Sequence, residues 1–145
     1  MKTLAILVIA LLIGAAADAR NTDHVLAIQD AVQGELGRER LLQVLFYFAG
    51  QEHPAAEAKI STVRSNRHTS GVFRSDERAC EIAFLSALIQ LQTRAQRENA
   101  DAIIDIISVT RNRNLISATE YRCVAGATVV HVGLEGTLVR LQKSP

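Results

Sequence analysis

The chain has 145 residues and a near-even charge balance, 16 Lys+Arg against 15 Asp+Glu, for a formal net charge of +1 at pH 7. That balance supplies no long-range field to attract nucleic acid. The lack of Trp, with aromatic residues at only 4%, leaves no stacking platform for bases or sugars.

The chain opens on a basic start, Met1-Lys2-Thr3, followed by an almost unbroken apolar run from Leu4 to Ala17 and a small-x-small ending at Ala17-Asp18-Ala19. This is the pattern of a secretory signal peptide. The run is too short for a stable transmembrane helix, and no Cys follows it as a lipid anchor. Cleavage near Ala19 predicts a periplasmic or secreted product, residues 20–145, read as a single globular domain with no membrane span of its own.

Within residues 20–40 the spacing of Ile28, Ala31, Val32 and Leu36 predicts a short helix that Gly37 ends. Leu41–Phe48 (LLQVLFYF) reads as a strand and Gly50–Pro54 as a turn. Lys59–Val63 is a candidate strand, and Asn66–Gly71 reads as loop. Ser75–Asn99 is the clearest element. Ser75 is a natural N-cap, and Asp76 and Glu77 sit where the helix dipole favours negative charge. Cys80, Phe84, Ala87, Leu88, Leu91 and Ala95 form one apolar stripe, and Asn99 suits a left-handed C-cap.

Ala102–Val109 (AIIDIISV) has no helical period and reads as a central strand buried on both faces. Arg111–Asn114 is a polar turn, and Ile116–Val124 is a strand carrying Tyr121 and Cys123. Thr128–Val132 and Thr137–Leu141 are two strands or one bent strand, with Gly133 and Gly136 suggesting a bulge or tight bend. The expected fold is α+β: one mixed β-sheet with a long helix (about 75–98) packed on one face, plus the short N-terminal helix.

In the oxidising compartment that the leader implies, Cys80 and Cys123 read as a disulfide. Closing their loop of 43 residues predicts a stabilisation of about 4 kcal/mol from loop-closure entropy. The alternative is a thiol-disulfide redox protein that uses the pair reversibly.

The segments SDERACEIAFLSALIQLQTRA, NADAIIDIISV and SATEYRCVAGA, with Phe46-Tyr47-Phe48 and His53-Pro54, resemble a family of small secreted bacterial proteins often labelled "excinuclease ATPase subunit". The resemblance spans most of the chain after the leader. It implies a secreted protein whose shared motifs are structural. The label fails against the residues: there is no GxxxxGK[ST] phosphate loop and no CxxC pair, so the protein is read as neither excinuclease nor ATPase. A weaker likeness runs to the domain of the Rcs outer-membrane stress sensor, through Asn99-Ala100-Asp101-Ala102-Ile103 and Cys123-Val124-Ala125-Gly126-Ala127. The chain departs from that sensor in lacking a lipid-anchor Cys and in having a single cysteine pair.

No catalytic set stands out. His24, His53, His68 and His131 form no HxH, HExxH or HxxxH pair, so neither a metal nor another cofactor is expected. There is no GxSxG and no SxxK. Asp105 interrupts an apolar strand, where a carboxylate must be exposed, hydrogen-bonded or functional. Arg64, Arg67 and Arg74, with His68 and Arg78 nearby, form a candidate anion- or partner-binding cluster, and Arg111 and Arg113 a second one. The same charges also suit an ordinary solvated surface balanced by Asp76, Glu77 and Glu81. The expected function is a non-enzymatic binding or envelope-associated domain whose partner is an envelope protein or other envelope component. A small secreted enzyme with its site near Asp105, His131 and Tyr121 is the alternative, beside the redox reading.

Overall fold

The computed structural model describes residues 20–144; the expected signal peptide lies outside them. Six strands build one mixed sheet: β1 (Thr22–Ala27), β2 (Leu45–Phe48), β3 (Ala56–Ser70), β4 (Ala102–Ser108), β5 (Glu120–Ala125) and β6 (Val129–Leu141). The order is β1-β5-β6-β4-β2, with β3 on the other side of β6. Among the described residues only β2 and β4 run parallel; the remaining pairs are antiparallel. With the helices α1 (Ile28–Gln33), α2 (Glu35–Arg40) and α3 (Asp76–Arg97), the class is α+β.

α3 starts where Ser75 Oγ accepts a hydrogen bond from Arg78 N at 3.1 Å. Past its end Asn99 adopts φ 53°, the left-handed conformation that Asn tolerates. Its buried side, including Ala79, Cys80, Phe84, Leu88, Leu91 and Ala95, joins Val63, Val130, Val132, Leu134 and Leu138 of β3 and β6 in the main core. Phe84 stacks on Tyr121 of β5, with ring centroids 4.0 Å apart. The disulfide expected from the cysteine count is present: Cys80 of α3 is bonded to Cys123 of β5, and both residues are fully buried.

β6 organises the sheet. Along one side it pairs with β3, from Ala56↔Leu141 to Ser70↔Val129. Along the other side it pairs first with β5 and then with β4. Thr110 fills the gap between those two partners. Its Oγ1 donates to Arg122 O at 2.8 Å and accepts from Gly133 N at 3.0 Å.

Several expectations need correction. Asn66–Gly71 is not loop: β3 continues to Ser70, because its alternating residues fit a strand half-covered by α3, with Val63 and Ser65 buried and Arg64 and Asn66 exposed. Thr128–Leu141 is one strand rather than two, and neither Gly133 nor Gly136 makes a bulge. The bulge lies opposite them on β4, between Ile104 and Ile107, where Asp105 takes φ 52°. Residues 22–27, where no element was expected, form strand β1. The expected single N-terminal helix is two six-residue helices separated by Gly34, which is extended at ψ 168°. Gly37 does not cap a helix; it lies within α2, where a Cβ would come within 2.3 Å of Ala31 O. Leu41–Val44 stays outside β2 because its backbone is bound by Gln92 of α3, which accepts from Leu42 N and donates to Leu42 O and Val44 O, each at 2.9 Å. Ile116–Thr119 precedes β5 as a turn closed by Ser117 Oγ, which accepts from Thr119 N and Glu120 N.

Candidate functional site

A groove of about 430 Å³ runs between α3 and β3. Its base holds Val63 and Leu91, both in the core, and its sides carry Arg64 and Arg67 from β3 and Arg94 and Arg97 from α3. Helical spacing explains the α3 side. Ser86, Ile89, Gln90, Thr93, Arg94 and Arg97 fall three or four residues apart, on one face. The two strand arginines flank Ser65, whose Oγ donates to Ala87 O of α3 at 2.8 Å and fixes the helix against the strand.

Two of the four guanidiniums are neutralised. Arg64 donates to Glu135 Oε2 through both Nε at 3.1 Å and Nη2 at 2.7 Å. Arg94 pairs with Glu98 one turn on. Glu98 also accepts from Ser61 Oγ at 2.8 Å. Hydrogen bonds from Arg94 and then Ser61 hold the Glu98 carboxyl below the usual carboxylate range. Arg67 and Arg97 make no ion pair among the described residues. The groove therefore presents two uncompensated positive charges beside an apolar base, a setting for carboxylate, phosphate or sulfate.

Of the cluster read from sequence, Arg64 and Arg67 reach this groove and Arg74 does not. Arg74 sits in the β3–α3 connection, where its Nη1 donates to Ser70 O at 3.0 Å. Arg78 pairs with Glu81 at 2.8 Å, Arg113 with Asp23 at 2.6 Å, and Arg111 donates to Asn21 Oδ1 at 3.0 Å. Sequence reading missed Arg94 and Arg97 as partners of Arg64 and Arg67. Both lie in the last turn of α3, where cations also complement the helix dipole. Their shared helical face with Ser86 and Thr93 was the signal available.

Asp105, His131 and Tyr121 are dispersed. Tyr121 lies under α3, and burial, followed by the charges of Glu81 and Asp30, pushes its phenol far above the ordinary range. His131 stands on the other face of the sheet, opposite His68 on β3, with ring centroids 6.0 Å apart. The two imidazoles, with Arg67 and Arg111, line a small hollow of about 260 Å³. Burial, and then the charges of Arg111 and His68, lower the His131 pKa. Asp105 is exposed at its bulge and lines neither cavity.

Among the described residues no group of three or more His, Cys, Asp or Glu is placed to hold a metal. No helix among them is long and apolar enough to cross a membrane. In comparisons with known proteins, no protein-family model, no curated protein and no solved structure matches this chain.

Proposed function

We propose that this protein is a non-enzymatic binding domain of an extracytoplasmic compartment, which recognises an anionic envelope protein or envelope component through the groove between α3 and β3. The observation that carries the reading is the convergence of Arg64, Arg67, Arg94 and Arg97 from two elements, with Arg67 and Arg97 free of ion pairs among the described residues. The leader-like Met1–Ala19 and the buried disulfide support an oxidising location. The resemblance of its segments to the small secreted family agrees with it. Tyr121 and His131 on opposite faces of the sheet weigh against an enzyme site built from them, and full burial of Cys80 and Cys123 weighs against a readily exchanged redox pair.

The test is the affinity of the purified protein for fluorescent dextran sulfate, a generic polyanion, at low and moderate salt. The wild type binds with an affinity that falls as salt rises. Arg67→Glu combined with Arg97→Glu reduces it by at least about tenfold, while Arg74→Glu changes it little. Equal binding by the wild type and the double variant removes the groove from the reading.

A further inference from the structure

The groove borders a sheet edge. β3 is 15 residues long and pairs with β6 on one side; among the described residues no strand lies on its other side. From Ser61 to Ser70 its register with β6 runs without a bulge. Its outer N–H and C=O groups therefore stand in regular order, a template for one more strand. Above that edge, Ile89, Thr93 and Arg97 of α3 line open space rather than a packed strand. The cavity occupies the position that side chains of an added strand would fill.

We infer that β3 receives an acidic, extended segment of a partner protein as an additional strand, its carboxylates held by Arg67 and Arg97. This rests on the binding role proposed above and names the partner's chemistry. Charge selects the occupant. A second copy of this chain would bring its own Lys59 and Arg67 against the same row, like charge facing like. An acidic strand meets two guanidiniums that have no other ion partner. Side chains on one face of a strand recur every second residue, roughly 7 Å apart. The expected segment therefore alternates acidic residues, facing α3, with residues of either character facing away. The basic edge thus blocks self-association while admitting an acidic partner.

The probe is a peptide of about ten residues alternating Glu and Thr, matched to the bulge-free stretch of β3. It is compared with an isomer whose Glu residues are contiguous and with a form N-methylated at every residue, which keeps the charge but has no backbone N–H to pair along either edge. Calorimetric titration is combined with amide exchange, with dextran sulfate and phosphatidylglycerol vesicles as controls. The expected result is binding of the alternating peptide at least about tenfold tighter than either comparison peptide, slowed exchange of amides within 61–70, and loss of both in Arg67→Glu/Arg97→Glu, whose thermal unfolding stays that of a folded protein. Equal binding of all three peptides, unchanged exchange along β3, or binding confined to dextran sulfate or vesicles overturns strand addition while leaving an anion-binding groove. Failure of every anion to bind overturns both readings.

Discussion

Gly136 of β6 lies directly beneath Ile103 of β4: a Cβ built on Gly136 would come within 2.7 Å of Ile103 Cγ2 and 3.0 Å of Ile106 Cγ1. The bulge at Asp105 sets two residues of β4 against one of β6, so Ile103 and Ile106 both turn toward the main core. The empty side of Gly136 is where they fit. Gly136→Ala therefore forces two fully buried isoleucines to move. The expected cost is about 1–3 kcal/mol, read as a lower urea midpoint with an unchanged slope.

Gln92 is fully buried and spends its amide on the backbone of Leu42 and Val44. Gln92→Leu keeps approximate volume but leaves one N–H and two carbonyls without that partner. A loss of about 2–4 kcal/mol is expected. Amide exchange at Leu42 should accelerate more than exchange in α3, which separates a local release of this segment from general destabilisation.

The Cys80–Cys123 bond ties the second turn of α3 to the strand beneath it. Replacing both cysteines by Ala removes the constraint from the unfolded chain and is expected to cost about 2–5 kcal/mol. Because both residues are fully buried, the folded wild type should resist alkylation in mild reductant. Rapid labelling of native protein would show an accessible, exchangeable bond instead.

Asp76 and His131 both contribute to the acid side of the stability profile. The Asp76 carboxyl is held below its ordinary 3.8, chiefly by a hydrogen bond with His24 and also by Arg20. Its folded pKa is depressed, so its contribution is present above the unfolded value and is lost as pH falls through the folded one. His131 is also depressed, from an ordinary 6.5. The folded protein resists protonating it, so stability declines as pH drops below 6.5. His131→Gln should flatten the decline just below neutrality, and Asp76→Asn the one below about pH 4, in urea midpoints measured across both windows.

The elements that were legible in sequence are those whose local signals and tertiary roles agree. Ser75, the Cys80–Ala95 stripe and Asn99 delimit α3 closely, and the IIDII run marks β4. The cysteine count anticipates the disulfide. β3 was only partly legible because an edge strand with one face exposed carries Arg64, Asn66 and His68 where a buried strand would carry apolar residues, and polar runs resemble loop. Gly133 and Gly136 were misread because close approach by another strand and a bulge ask for the same residue. In the groove, Arg64 and Arg67 were visible as a local cluster. Arg94 and Arg97 join them only through the crossing of α3 over β3, a relationship between residues about thirty positions apart that no local pattern encodes.

β6 is the last of the described elements in the chain, yet it is the shared neighbour of β3, β4 and β5. For a polypeptide that emerges N-terminus first, the earlier strands must wait for residues 129–141 before their common partner exists. Up to that moment β3 has no ladder, and β4 has only the short parallel β2 beside it. Assembly is therefore late and concerted, governed by long-range closure rather than by stepwise growth. A chain interrupted before Val129 is expected to remain an open, protease-sensitive intermediate even with α3 already wound.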